Sequence, residues 1–159
     1  MTRPRDAKRR GDPAAAGFRL EDSPFFLMNL TVGAYGFAME RALRAVGTDI
    51  PRWRVLMLAH ERGPISVGDI AELGVLKLST ATKVIQRLRD EGLVTLRRRA
   101  DDGRVSWVEA TRTGRSVVTV IRRAASEIYR SAFRGITATD IAALNATLTT
   151  VQQNLRTLV

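Results

Sequence analysis

Apolar residues recur with the spacing of a single helical face at both ends of the chain. Met28, Val32, Tyr35, Met39, Ala42 and Val46 step by 4, 3, 4, 3 and 4, and Ile141, Leu144, Leu148, Val151, Leu155 and Leu158 step by 3, 4, 3, 4 and 3. A long helix with one apolar face must cover that face, either in its own core or against a second copy. Long stripes at both ends of a compact middle suit a two-fold partner, so dimerisation through the terminal helices is expected. The second stripe carries its own punctuation: Gly135 stops the preceding helix, and Thr137 with Asp140 has the spacing of a capping box. A chain of 159 residues with 45% hydrophobic residues can bury a real core, so a disordered tail and a repeat array are both excluded.

Between the stripes the signals are shorter. Pro51 suits the first turn of a helix running to about Glu61, with Trp53, Leu56, Met57 and His60 on one side, and Gly63-Pro64 ends it. Ser66 followed by Asp69 starts a short helix through Ile70 and Leu73 that stops at Gly74, and a further helix runs from Leu78 to Glu91 and stops at Gly92. Leu93 to Arg99 and Val105 to Thr111 then read as two strands joined across Asp102-Gly103, a favoured sequence for a tight hairpin turn. The expected fold is mainly α with a small β-hairpin wing: a winged helix-turn-helix plus N- and C-terminal dimerisation helices. Its parts are a flexible basic arm over residues 1–24, the first dimerisation helix over 25–50, the DNA-binding domain over 51–111 and the C-terminal helices over 112–159.

Charge separates these parts. The chain has 26 Lys+Arg against 16 Asp+Glu, a net +10. Residues 77–134 hold fourteen basic and six acidic side chains, whereas residues 25–76 hold five of each and residues 135–159 one of each. Abundant arginine alone would not leave the flanks neutral. A localised positive field predicts a polyanionic partner, and its position on a helix and hairpin favours double-stranded DNA over a membrane.

Within that segment, Ala81, Val84, Ile85 and Leu88 fall on a narrow arc at about 100° per residue and should face the core. The opposite side offers Ser79, Lys83 and Gln86, with Thr80, Thr82 and Arg87 beside them. Hydroxyls, an amide and cations suit base edges and phosphates. Asp90 and Glu91 would be repelled by phosphate, so that end of the helix should leave the groove. At the hairpin, Arg97, Arg98 and Arg99 approach the turn and Arg104 leaves it, with Asp102 placed to orient the Arg104 guanidinium. An arginine held there can enter a minor groove. The candidate DNA-binding residues are Ser66, Ser79, Thr80, Thr82, Lys83, Gln86, Arg87, Arg98, Arg99, Asp102 and Arg104.

The run GLVTLRRRADDGRVSWVEATRTG from Gly92 to Gly114 resembles the wing of the MarR family of bacterial transcriptional regulators. It holds Gly-Leu-Val after the reading helix, Asp102-x-Arg104 at the tip and Thr111-x-x-Gly114 opening the next helix. Trp53-Arg54-Val55-Leu56, Ile70-Ala71 and Thr80-Ala81-Thr82-Lys83 are similar to that family's earlier helices. The resemblance runs from about Phe25 to the C-terminus. It implies a homodimer with reading helices in successive major grooves and wings in minor grooves. Three positions depart from the pattern: Leu78 replaces a polar residue or proline, Leu96 an arginine and Ala110 a leucine. Leu78 lies near the edge of the buried arc and is expected to add packing.

The resemblance further implies a pocket for a small aromatic or phenolic anion between the dimerisation helices and the winged domain. Met28, Tyr35, Met39, Trp53, Met57, His60 and Arg115 are its candidates in this chain, although methionines and aromatics at helical spacing more often belong to a core. The alternative is a constitutive or architectural DNA binder with no effector. Thiol-oxidation sensing is excluded because there is no cysteine. His60 is the single histidine, and the chain has neither a Gly-rich phosphate loop nor a nucleophile elbow, so no enzyme, metal or cofactor is expected. No stretch has the apolar length to span a bilayer, and a cytoplasmic protein is expected.

Overall fold

A computed structural model describes residues 9–98 and 106–158. Among the described residues a short 3-10 turn (Leu20–Asp22) is followed by six α-helices and three strands in the order α1 (Pro24–Ala45), α2 (Ile50–Glu61), β1 (Ile65–Ser66), α3 (Val67–Leu73), α4 (Leu78–Asp90), β2 (Val94–Arg98), β3 (Ser106–Ala110), α5 (Arg112–Ala132) and α6 (Ala138–Arg156). The chain divides into two compact units, Met1–Ala125 and Ser126–Val159.

Local chemistry sets the element boundaries. Asp49 accepts a hydrogen bond from the Arg52 backbone N–H at 2.8 Å and, with Pro51 in the first turn, starts α2. Ser66 accepts from the Asp69 N–H at 3.0 Å and starts α3. Thr137 and Asp140 form the reciprocal capping box of α6. Gly92, at φ +71°, takes the left-handed conformation that ends α4 and turns the chain into β2.

The hairpin pairs β2 with β3 in antiparallel register, Val94 opposite Ala110, Leu96 opposite Val108 and Arg98 opposite Ser106. The sheet also has a third strand that the sequence reading lacked. Residues Ile65–Ser66 pair with β3, Ile65 opposite Val108, giving the order β1-β3-β2. Two residues are too few to show an alternation of their own.

The core of the first unit gathers Val55, Leu56 and Ala59 of α2, Ile70 of α3, Ala81, Ile85 and Leu88 of α4, Val94 and Val108 of the sheet, and Val118 and Ile121 of α5, all buried. Met39 and Leu43 of α1 join it. The arc expected on α4 is therefore the buried one, with Val84 half-buried at its edge. On α2 Val55, Leu56 and Ala59 are buried, whereas Trp53, Met57 and His60 are half-buried.

Thr111-x-x-Gly114 joins wing to helix. The Thr111 hydroxyl donates to the Gly92 carbonyl at 2.7 Å and accepts from the Gly114 N–H at 3.0 Å, so one side chain ties the end of α4 to the first turn of α5. A Cβ on Gly114 would lie 2.0 Å from the Leu93 carbonyl oxygen, so only glycine lets α5 pass so close to the strand.

Candidate nucleic-acid interface

Helix α4 presents the surface on which DNA recognition would depend. With Ala81, Ile85 and Leu88 buried, Ser79, Lys83, Gln86 and Arg87 are exposed, and Thr80 and Thr82 are half-buried beside them. The Thr82 hydroxyl donates to the Leu78 carbonyl at 2.8 Å, so toward a ligand it can accept a hydrogen bond or offer its methyl group. Ser66 is half-buried, and its oxygen is engaged as the cap of α3. A groove of about 530 Å³ runs along this face, lined by Ser66, Leu78, Thr82, Gln86, Leu96 and Ser106 among others.

Leu78 corrects the sequence reading. Instead of adding packing it is 59% exposed and lines the groove. The helical projection puts it beside the buried arc, but it occupies the first turn, while the buried residues of this helix begin at Ala81.

The acidic end of α4 is neutralised within the protein. Glu91 forms a two-pronged ion pair with Arg52 of α2, one prong being Arg52 Nη1 to Oε1 at 2.7 Å, the other Nη2 to Oε2. Hydrogen bonding to Glu91 raises the Arg52 pKa above its ordinary value, against the opposing effect of burial. Asp90 pairs with the neighbouring Arg89 at 2.6 Å. The repulsion expected between these carboxylates and phosphate is thus reduced, and Arg52 fixes the far end of the reading helix to α2. Arg54 fixes the α3 end, donating to the Gly74 carbonyl at 3.0 Å. These contacts link residues twenty to thirty-nine positions apart, and the local sequence carries no signal for them.

On the wing, Arg97 is exposed opposite Trp107 of β3. The Arg98 side chain and residues Arg99, Asp102 and Arg104 lie outside the described residues.

The effector candidates are only partly brought together. Tyr35 and Trp53 meet edge to face, with ring centroids 6.3 Å apart. Burial raises the Tyr35 pKa above its ordinary value, and Arg54 acts in the other direction. Met28, Met57 and His60 are half-buried, and His60 lies 3.7 Å from Glu61. Met39 is fully buried in the core. The Arg115 guanidinium donates to the Ala110 carbonyl at 3.0 Å and so supports the end of β3.

A reading helix held over a helical core, with a basic two-stranded wing beside it, defines a winged helix-turn-helix DNA-binding protein. Residues 49–106 match the model of the MarR family. The chain is 37% identical over 147 residues to the transcriptional repressor IacR of Pseudomonas putida, spanning 92% of this chain and 88% of that one. It is similar in structure to a MarR-family transcriptional regulator from Silicibacter pomeroyi, with TM-score 0.79, 26% identity and coverage of 86% of this chain and 92% of that one. It is also similar to CouR of Rhodococcus jostii RHA1, solved bound to p-coumaroyl-CoA, with TM-score 0.75, 25% identity and coverage of 84% and 94%. The chain belongs to the MarR family and is a DNA-binding transcriptional regulator. Among the described residues no helix is long and apolar enough to cross a membrane.

Proposed function

We propose that the protein is a homodimeric repressor that binds a pseudo-palindromic operator and releases it when a small aromatic or phenolic anion binds. The observation that carries this reading is the uncovered face of α4, where Ser79, Lys83, Gln86 and Arg87 are exposed while the carboxylates at its far end are paired within the protein. Two copies related by a two-fold axis would place their reading helices in major grooves about one helical turn apart, roughly 34 Å. The Arg98, Arg99 and Arg104 side chains would serve the minor groove, with Asp102 placed in the sequence to orient the Arg104 guanidinium. The exposed apolar residues of α1 and α6 supply surface for the second copy.

The ligand reading is supported by the Tyr35–Trp53 contact in this chain and by the aromatic acyl ligand of CouR. Such a ligand can act only through different affinities for the DNA-competent and DNA-incompetent dimers. The test is a titration of hydroxycinnamates and hydroxybenzoates, free and as CoA thioesters, into the operator complex. Release by one of them, weakened by Trp53→Ala, is the expected result. If none dissociates the complex, the protein is a constitutive DNA binder. Replacing Arg104 by Ala should weaken binding and lower the salt slope by about one counterion per subunit. An unchanged isotherm would remove the wing from the interface.

A further inference from the structure

We propose that Leu78 reads a base: its side chain contacts the C5-methyl group of a thymine in each half-site. This inference rests on the DNA-binding reading of α4 and names one of the chemical features that the helix selects.

An exposed leucine on a protein surface is ordinary; the position of this one is informative. Leu78 is the first residue of the reading helix, it is 59% exposed, and it shares the groove with Thr82, Gln86 and Leu96. Exposed cations flank it along the chain: Lys77 lies directly before it, and Lys83 and Arg87 lie further along the helix. This surface is complementary to a polyanion, and the apolar side chain is set within it.

Beside it the groove offers carbon together with a few polar groups, Gln86 and Ser106 among them. The Thr82 hydroxyl hydrogen is engaged by the Leu78 carbonyl at 2.8 Å. Leu96 adds apolar surface to the same groove. Val75, three residues earlier, is 82% exposed and sits at φ +51°, a backbone region that β-branched residues rarely adopt. The helix therefore enters the interface with an apolar end followed by a polar, cationic face.

In the major groove each base edge presents donors or acceptors, and thymine alone adds a methyl group. A leucine against thymine gains contact with carbon. Against cytosine it would cover the N4 amino group and leave that donor without water or partner, an unfavourable exchange. Leu78 would thus favour T·A over C·G at one position of the half-site, while Lys83 and Gln86 act further along the helix.

The experiment begins with selection of binding sites from random duplexes by the full-length protein. Each thymine of the selected half-site is then replaced by deoxyuridine, which lacks only the methyl group. Wild-type affinity should fall about fourfold per substituted half-site at one position, the effect of losing burial of one methyl group. Leu78→Ala should bind the thymine and uracil duplexes equally there, whereas Lys83→Ala should keep the difference. Because Leu78 is exposed, the thermal unfolding of Leu78→Ala should match wild type, which separates loss of reading from loss of fold. Equal sensitivity to uracil in wild type and Leu78→Ala, or none at any position, would overturn the role of Leu78 and leave the DNA-binding reading standing. Failure to enrich any sequence would instead overturn the sequence-specific reading of α4 itself, and this inference with it.

Discussion

From Ile50 to Ala110 the apolar residues of the predicted helices and hairpin are largely enclosed by the single chain, with Leu56, Ile70, Ile85, Leu88 and Val108 each almost fully buried. In α1 and α6 the same kind of apolar spacing leaves most residues open. Of the first stripe only Met39 is buried, Val32 remains 62% exposed, and the neighbouring Phe37 is 77% exposed. Helix α6 has no buried residue, although its capping box is complete. Local signals therefore suffice to make a helix, but a helix does not thereby acquire a partner. The core-facing residues of the winged region are covered within one chain, while Leu73, Val75 and Leu78 stay exposed. The terminal helices carry apolar surface that a second chain would cover, and the two regions should respond to mutation in different ways.

The largest expected effect tests the terminal side of that contrast. Leu148→Asp would bring a carboxylate into the apolar stripe of both copies, at about 3 kcal/mol for each. Sedimentation should show a shift from dimer toward monomer, while the far-ultraviolet circular dichroism of the chain keeps its helical signal. A variant that stays dimeric would take α6 out of the interface. Ile85→Ala should do the opposite, costing about 3 kcal/mol of stability through a cavity in the winged core. Denaturant unfolding reads this directly, and an unchanged midpoint would mean that the core is less closely packed than its burial indicates.

Smaller effects refine the winged side. Glu91→Ala removes the partner of Arg52, whose guanidinium has a buried Nε without a hydrogen-bond acceptor. Because Glu91 is partly exposed, the loss should be about 1 kcal/mol. Operator binding at matched stability would then show whether the pair also positions the reading helix. Val75→Gly should have the smallest effect. Relief of the left-handed backbone, about 1 to 2 kcal/mol, is opposed by about 0.5 to 1 kcal/mol of glycine's added unfolded-state freedom. A slightly higher melting temperature is expected, and a clear fall would show that the Val75 side chain contributes contacts despite its exposure.

Much of this architecture was legible because it depends on short-range chemistry. Ser66 with Asp69, Thr137 with Asp140, Pro51 and Gly92 each mark a boundary through interactions a few residues long, and the arc of Ala81, Ile85 and Leu88 gives the orientation of α4. Thr111-x-x-Gly114 was visible as a motif, although its reason, a carbonyl beneath Gly114, appears only when β2 and α5 come together. What stayed hidden depends on distant partners. The pairing of Ile65 with Val108 and the Arg52–Glu91 bridge involve tertiary geometry that periodicity does not contain. Leu78 was misplaced for a related reason. A helical projection gives the angle of a residue around the axis, but not where along the axis the covering elements end.

Selection from random duplexes by the full-length protein probes the reading surface and the two-fold assembly together. A dimeric reader should enrich an inverted repeat with half-site centres about one helical turn apart, roughly 34 Å, bound by two chains. A single unrepeated site bound by one chain, or no enriched sequence, would contradict that reading.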